Sequence, residues 1–379
     1  MSDVTFLGRT TFRRQHIRFG IKQADRLSHL YLIGQTGVGK STLIRNLAIQ
    51  DYDRGRGFAL IDPHGDMAEA LRRDMGGRRE IVYLDATARD QPYGYNPLRR
   101  VPYERIPLAA AGLLETLRKL WPLAWGTRME HVLRNSVYAL LEHDGSSLPD
   151  ILRLFRDKAF RQAITLRLRN PVVRQFWRGE FEKYPPRLQA EAVAPVQNKL
   201  GALLADPRLY RLLVEPPVDL HFRRIMDKGQ VLLVNLSRGV VGEESANVLG
   251  SLLVSTIGLA AFTRADTAER RPFFLYVDEF QNFTTLSIAN MLSELRKFGL
   301  GLTLAHQFLG QLQPEVRQAV FGNAGTMLSF RVAPEDAISL APEFAPRLGV
   351  EDLVNLPNRR FYVRLMIDGA PSVPFSAML

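Results

Sequence analysis

Apolar residues along this chain fall in two textures. Short unbroken runs bounded by glycine, proline or aspartate read as buried strands, and 3.6-period stripes read as helices. "HLYLIG" (29–34) is such a strand, and "STLIRNLAIQDYD" (41–53) after it is helical. "GFALID" (57–62) and "EIVYLD" (80–85) give a second and a third strand. After "YGYNPL" (93–98) the texture changes. From about 105 to 215 the spacing is helical throughout, as in "LAAAGLLETLRKL" and "MEHVLRNSVYALLEH", with prolines 149, 171, 185, 186 and 195 as punctuation. Strands and helices alternate again from "VLLVNL" (231–236): helix 243–263, strand 273–277, helix 286–298, strand 302–305, a helix near 314–321 and the strand "TMLSFRV" (326–332). "FYVRLMID" (361–368) closes the series. This alternation predicts an α/β fold, a mostly parallel sheet with helices on both faces. Residues 1–100 and 226–379 are expected to form that domain, and 101–225 an inserted all-α domain. No internal repeat or low-complexity segment is visible.

Composition narrows the class. With 379 residues, 46% hydrophobic and 23% charged, the chain is long enough for a proper core and reads as a soluble globular protein. It has no cysteine, which rules out disulfides and thiolate metal sites and fits a reducing cytosol. A net charge of +11 points to an anionic partner, nucleic acid or a lipid surface, although an arginine-rich proteome would give the same surplus. The first residues lack the apolar core of a signal peptide. The most apolar stretch, 246–262, carries Asn247, Ser251, Ser255 and Thr256 and reads as a buried core helix rather than a membrane span. A cytoplasmic protein is the expectation.

The candidate chemistry begins where the first strand meets its helix. Gly34-Gln35-Thr36-Gly37-Val38-Gly39-Lys40-Ser41, followed by Thr42, is a complete P-loop signature. Glycines let the backbone curl so that several N–H groups face phosphate oxygens, and the helix after them adds the positive end of its dipole. Lys40 is placed to reach the β- and γ-phosphates of ATP, and Ser41 to offer a hydroxyl to Mg²⁺. Hydrolysis needs a second half, a strand ending in carboxylates. "RPFFLYVDEF" (271–280) supplies it: Asp278 for Mg²⁺, and Glu279 to polarise the attacking water. "GLTLAHQF" (301–308) ends at Gln307, a candidate γ-phosphate sensor or an ordinary turn glutamine. Arg296 lies off the apolar stripe of its helix; it is either an arginine finger for a neighbouring subunit or a C-terminal helix cation favoured by the dipole. "DPHGD" (62–66) invites a metal reading, but its spacing better suits a turn at a strand end. No Asn-Lys-x-Asp guanine motif is found. The strand 231–236, which comes between the P-loop and the Asp-Glu strand in chain order, favours the ATPase layout with an extra strand over that of a GTPase.

Taken together, "FGIKQADRLSHLYLIGQTGVGKSTLIRN", "LIDPHGD", "GYNPL", "LYVDEFQNF", "LSELRKFGLGLTLAHQFLGQL" and "FGNAGTMLSFRV" resemble the HerA/FtsK superfamily, and within it the TraD/TraG-type coupling ATPases of conjugative type IV secretion. The likeness covers about 15–100 and 226–370. It implies a RecA-like core, ATP and Mg²⁺ as cofactors, a homo-hexameric ring, and DNA pulled through its centre without regard to sequence. It assigns Lys40 and Ser41 to phosphate and Mg²⁺, Asp278 to Mg²⁺, Glu279 to water activation and Gln307 to the γ-phosphate. Arg296, in "LRKFG", matches the finger position, with Arg331 as a second candidate. Secretion or DNA-processing proteins would be further partners. Only about 30 residues precede the P-loop, fewer than the membrane anchor or small β-barrel usual in such proteins. The function expected is an ATP-driven DNA translocase. The alternative is a nucleotide-gated docking or assembly ATPase that handles protein rather than DNA.

Overall fold

The computed structural model describes residues 3–11 and 15–379. The chain divides into two compact units, one of 1–83, 221–238 and 260–379, the other of 84–220 and 239–259.

The first unit is built on an 11-stranded sheet. In chain order its strands are β1 (Val4–Thr10), β2 (Arg18–Lys22), β3 (Leu30–Ile33), β4 (Gly57–Asp62), β5 (Ile81–Asp85), β6 (Val231–Asn235), β7 (Phe273–Val277), β8 (Leu300–His306), β9 (Thr326–Ser329), β10 (Arg360–Arg364) and β11 (Phe375–Met378). Their order across the sheet is β2-β1-β11-β10-β9-β3-β8-β7-β4-β6-β5. From β9 to β6 every pair is parallel. Here "LYLI", "GFALID", "VLLVN" and "FFLYV" are buried at every position, as strands covered on both faces must be. The helices α1 (Lys40–Asp53) and α2 (Asp66–Met75) pack Leu43, Leu47, Ala68 and Leu71 against one face.

Four differences from the expected strands have one physical cause. β1, β2 and β11 are strands that the hydrophobic pattern does not announce, and β10 ends at Arg364 rather than running to 368. All four lie in antiparallel pairings at one end of the sheet. Burial there alternates, as in "VTFLGRT" and "RFYVR", so no unbroken apolar run marks them. Met366–Ile367 instead pairs with Ala370–Pro371 in a separate hairpin. In space, moreover, the strand between β3 and β7 is β8; the 231–236 strand lies beyond β4.

The second unit is helical: α3 (Ile106–Leu120), α4 (Thr127–Glu142), α5 (Leu148–Arg156), α6 (Lys158–Arg167), α7 (Pro186–Leu204) and most of α8 (Glu243–Phe262). Trp177 and Phe181, both buried, stack edge to face at 4.9 Å in its core. Asp157, Asn170 and Asp206 cap helix starts with their side chains. This unit shares 101–220 with the expected 101–225, takes in 84–100 and 239–259 besides, and leaves 221–225 to the first unit. The cause is visible along α8. A Cβ added at Gly112 would lie 3.0 Å from Ser255 Oγ, and the Thr256 hydroxyl donates to the Tyr95 hydroxyl at 2.7 Å. α8 is long and apolar enough to cross a membrane by length and composition, yet 67% of its most apolar window is buried, as in a core helix.

Candidate functional site

Because β3, β7, β4 and β8 are parallel, their C-terminal ends lie along one edge of the sheet, and the P-loop, Asp278, Glu279 and Gln307 all follow from that edge. The loop after β3 admits only glycine at Gly34, where a Cβ would sit 2.6 Å from the Cβ of Phe330. Gly37 adopts a left-handed φ of 77° at the apex, a conformation costly for any other residue. The loop is braced from outside. The Gln35 N–H donates to the Arg331 carbonyl at 2.9 Å, and the Arg359 N–H to the Val38 carbonyl at 2.8 Å. Lys40 folds back along it, donating from Nζ to the carbonyls of Gly34 at 2.6 Å and Gln35 at 3.0 Å. Burial lowers the pKa of this ammonium, opposed by the carboxylates of Asp278 and Glu279.

The acidic pair meets this loop directly. The Ser41 hydroxyl donates to Asp278 Oδ2 at 3.0 Å, across 237 positions of sequence. Asp278 is buried, and its pKa is pushed up to about 6, first by burial and then by the charge of Glu279; the Ser41 hydrogen bond and Lys40 pull the other way. A hydroxyl and a carboxylate side by side in a site that disfavours the bare anion are a donor set that fits Mg²⁺, a hard cation that takes oxygen ligands. Glu279 stands in a left-handed turn at φ 49°, uncommon for a residue with a side chain. Both of its carboxylate oxygens are occupied: Oε1 accepts from Gln307 Nε2 and Oε2 from Gln281 Nε2, each at 2.7 Å. Gln307 in turn accepts the Thr36 hydroxyl at 3.1 Å. A continuous hydrogen-bonded chain, Thr36–Gln307–Glu279–Gln281, thus ties the P-loop to the acidic pair.

Arg296 is not part of this cluster. It follows the helix α9 (Leu286–Leu295), and its Nη1 donates to Ser28 Oγ at 3.2 Å, ahead of β3 and so at the opposite edge of the sheet. There it lines a cavity of about 580 Å³ with His29, Lys297 and Phe321. Arg331 is the arginine beside the P-loop of its own chain, with Nε donating to Gln35 Oε1 at 3.1 Å. "DPHGD" forms a capping turn. Asp62 Oδ1 accepts the His64 N–H at 3.0 Å and Oδ2 the Ala68 N–H at 2.9 Å, so backbone donors occupy both oxygens.

Two features carry no signal in the sequence. Gln281 sits two places after Glu279 in a turn, where no periodicity singles it out. Tyr31 in β3 and His306 at the end of β8 share a hydrogen bond of 2.5 Å, and burial, with Lys40 adding to it, lowers His306 to about 3. Tyr31 reads in sequence as ordinary strand apolarity.

Residues 225–360 match the family model of the type IV secretion-system coupling protein DNA-binding domain. In fold the chain is similar to the bacterial conjugative coupling protein TrwBΔN70, at a TM-score of 0.70 and 17% identity, over 98% of this chain and 88% of that one. A second structure of the plasmid coupling protein TrwB, which holds ADP and Mg²⁺, matches at 0.69 and 17% identity, over 95% and 86%. VirB4 of Thermoanaerobacter pseudethanolicus matches at 0.69 and 14% identity, over 100% and 96%. No curated protein sequence matches the chain. The RecA-like P-loop fold is borne out by shape along the chain, and the resemblance to TraD/TraG-type coupling ATPases by the matched segment.

Proposed function

We propose, on the premise that this chain is a P-loop NTPase of the coupling-protein type, that it is an ATP-driven DNA translocase that works as a homo-hexameric ring. The observation that carries this reading is the meeting of Ser41 and Asp278, with Glu279 held beside them by Gln307. A loop that only bound nucleotide would have no need of a second carboxylate hydrogen-bonded to a residue that also touches the loop. Lys40 and the loop amides hold the triphosphate. Ser41 and Asp278 would hold Mg²⁺, which would supply positive charge to offset that of the phosphates. Glu279, once released by Gln307, takes a proton from water as that water attacks the γ-phosphorus and the bond to the β–γ bridging oxygen breaks, leaving ADP and phosphate.

DNA as the partner rests on three supports. One is the net charge of +11, another the matched coupling-protein DNA-binding domain, and the third the fold shared with a conjugative coupling protein. Contacts would be to phosphates, so binding should ignore sequence and weaken as salt rises. In a ring Arg296, which lies away from the P-loop of its own chain and donates to Ser28, would turn to the nucleotide of the next subunit. We place the protein in the cytoplasm, where a secretion channel or DNA-processing complex at the inner membrane would engage it.

The test is the ATPase rate with no DNA, with single-stranded DNA and with double-stranded DNA, alongside Glu279→Gln. Several-fold stimulation that disappears in the variant is expected. ATP turnover indifferent to either DNA, together with tight binding to a secretion protein, would replace the translocase with a docking or assembly ATPase. Sedimentation with a non-hydrolysable ATP analogue reads the ring.

A further inference from the structure

The grip on Glu279 is two-sided, and its two hands differ. Gln307 is also bonded to Thr36, in the loop that must rearrange around a triphosphate, so its hold on Oε1 is tied to the occupancy of the site. Gln281, which holds Oε2 at 2.7 Å, belongs to a turn whose backbone is fixed from within. Phe280 and Phe283 on either side are fully buried, and Phe280 packs edge-on against His306 at 5.0 Å. The N–H groups of Asn282 and Phe283 close the turn onto the carbonyls of Glu279 and Phe280, each at 3.0 Å. A carboxylate on a flexible side chain needs such a fixed partner if one chosen oxygen is to face the water.

We propose that Gln281 is a positioning residue for hydrolysis. It keeps Oε2 of Glu279 anchored to the turn, so that Oε1, when Gln307 lets go, is the oxygen presented to water. The inference rests on the ATPase reading above. It adds a division of labour between two glutamines that sequence alone could not separate, one responsive to nucleotide and the other fixed.

The test compares Gln281→Ala and Gln281→Met with wild type, the methionine keeping the volume and losing the donor. MgATP affinity by titration with a fluorescent analogue and thermal unfolding accompany the steady-state kinetics. The expected result is a fall in kcat of roughly 10- to 100-fold in both variants, with KM and nucleotide affinity within about twofold of wild type. Full kcat in Gln281→Met with loss in Gln281→Ala would make the residue a packing element and overturn the proposal. So would unchanged kcat in both, or a loss that follows nucleotide affinity. Absence of turnover in wild type despite MgATP binding would instead overturn the ATPase reading, and the role of Gln281 with it.

Discussion

The P-loop helix and the strand that carries the acidic pair are clamped together at a point away from the phosphates, and that clamp can be cut. Asp51, near the end of α1, accepts from Arg26 Nη1 at 2.7 Å, Arg26 Nη2 at 2.9 Å, Arg56 at 3.2 Å and the Tyr276 hydroxyl at 2.6 Å. Arg26, Asp51 and Tyr276 are all buried, and the guanidinium of Arg26 lies 3.6 Å over the ring of Phe274. Tyr276 is two residues ahead of Asp278, so the clamp sets how α1 rides on β7. Asp51→Ala would strand a buried guanidinium, at a cost of about 3–5 kcal/mol. Against the roughly 5–15 kcal/mol typical of a folded domain, that is a large share. Arg26→Met leaves Asp51 with Arg56 and Tyr276 and should cost less. The double variant, which buries no orphan charge, should be more stable than the sum of the singles predicts. The assay is guanidinium unfolding followed by circular dichroism, with MgATP affinity measured on each variant. An Asp51→Ala loss below about 1 kcal/mol, or strict additivity of the two changes, would refute the clamp.

Other consequences can be checked in the same preparations. Lys40→Ala should abolish nucleotide binding, and Gly34→Ala should do so too, through the clash with Phe330; retained binding in either would contradict the cradle. His29 is fully buried with its pKa lowered to about 4, and Nδ1 accepts the Leu302 N–H at 3.0 Å. Its neutral form is the folded form, so its contribution is complete above about pH 6.5 and is lost as pH falls toward 4, about 2 kcal/mol by pH 5. Unfolding midpoints at about pH 7.5 and pH 5 should differ by more in wild type than in His29→Asn; equal slopes would remove the assignment. Arg296→Ala should lower kcat but not nucleotide affinity, and mixing it with Glu279→Gln subunits should restore activity above that of either alone. No rescue on mixing would argue against a finger acting across subunits.

How legible each part is depends on what physically specifies it. The central strands can be read because burial on both faces leaves no choice but continuous apolar runs, as in Phe273–Val277. β1 and β11 cannot, because one-sided burial lets Thr10, Arg9 and Ser376 into the strand. Lys40, Ser41, Asp278 and Glu279 are legible as letters because the chemistry of a triphosphate and its cation restricts them to few residue types. Their meeting across the fold follows from those letters only by inference, and the geometry then supplies it. Gln281 and the Tyr31–His306 pair are silent because their roles depend on a partner far away in sequence, or on a turn whose direction no local pattern encodes. The extent of the helical unit is hidden for a related reason. α8 follows a strand of the sheet in chain order, and nothing local says that Ser255 and Thr256 pack against Gly112 and Tyr95.

The topology also accounts for how 237 positions can separate Ser41 from Asp278 without loosening the site. The chain leaves the sheet after β5 and returns in β6, and these two strands lie next to each other at one end of the sheet order. The strands that carry the site, β3, β8 and β7, are contiguous in that order and are joined by parallel pairing with the register Leu304↔Tyr31 and Leu304↔Val277. Chain inserted between β5 and β6 therefore alters no pairing among them, and lengthening such a connection costs only slowly growing closure entropy. It follows that the relative placement of P-loop, acidic pair and Gln307 is a property of three neighbouring strands. Because β8 is the middle one, a change at Gln307 is felt by both of its neighbours at once. The hydrogen bonds from Thr36 to Gln307 and from Gln307 to Glu279 are the side-chain form of that arrangement, and they put Gln307 between the P-loop and the residue proposed above as the base.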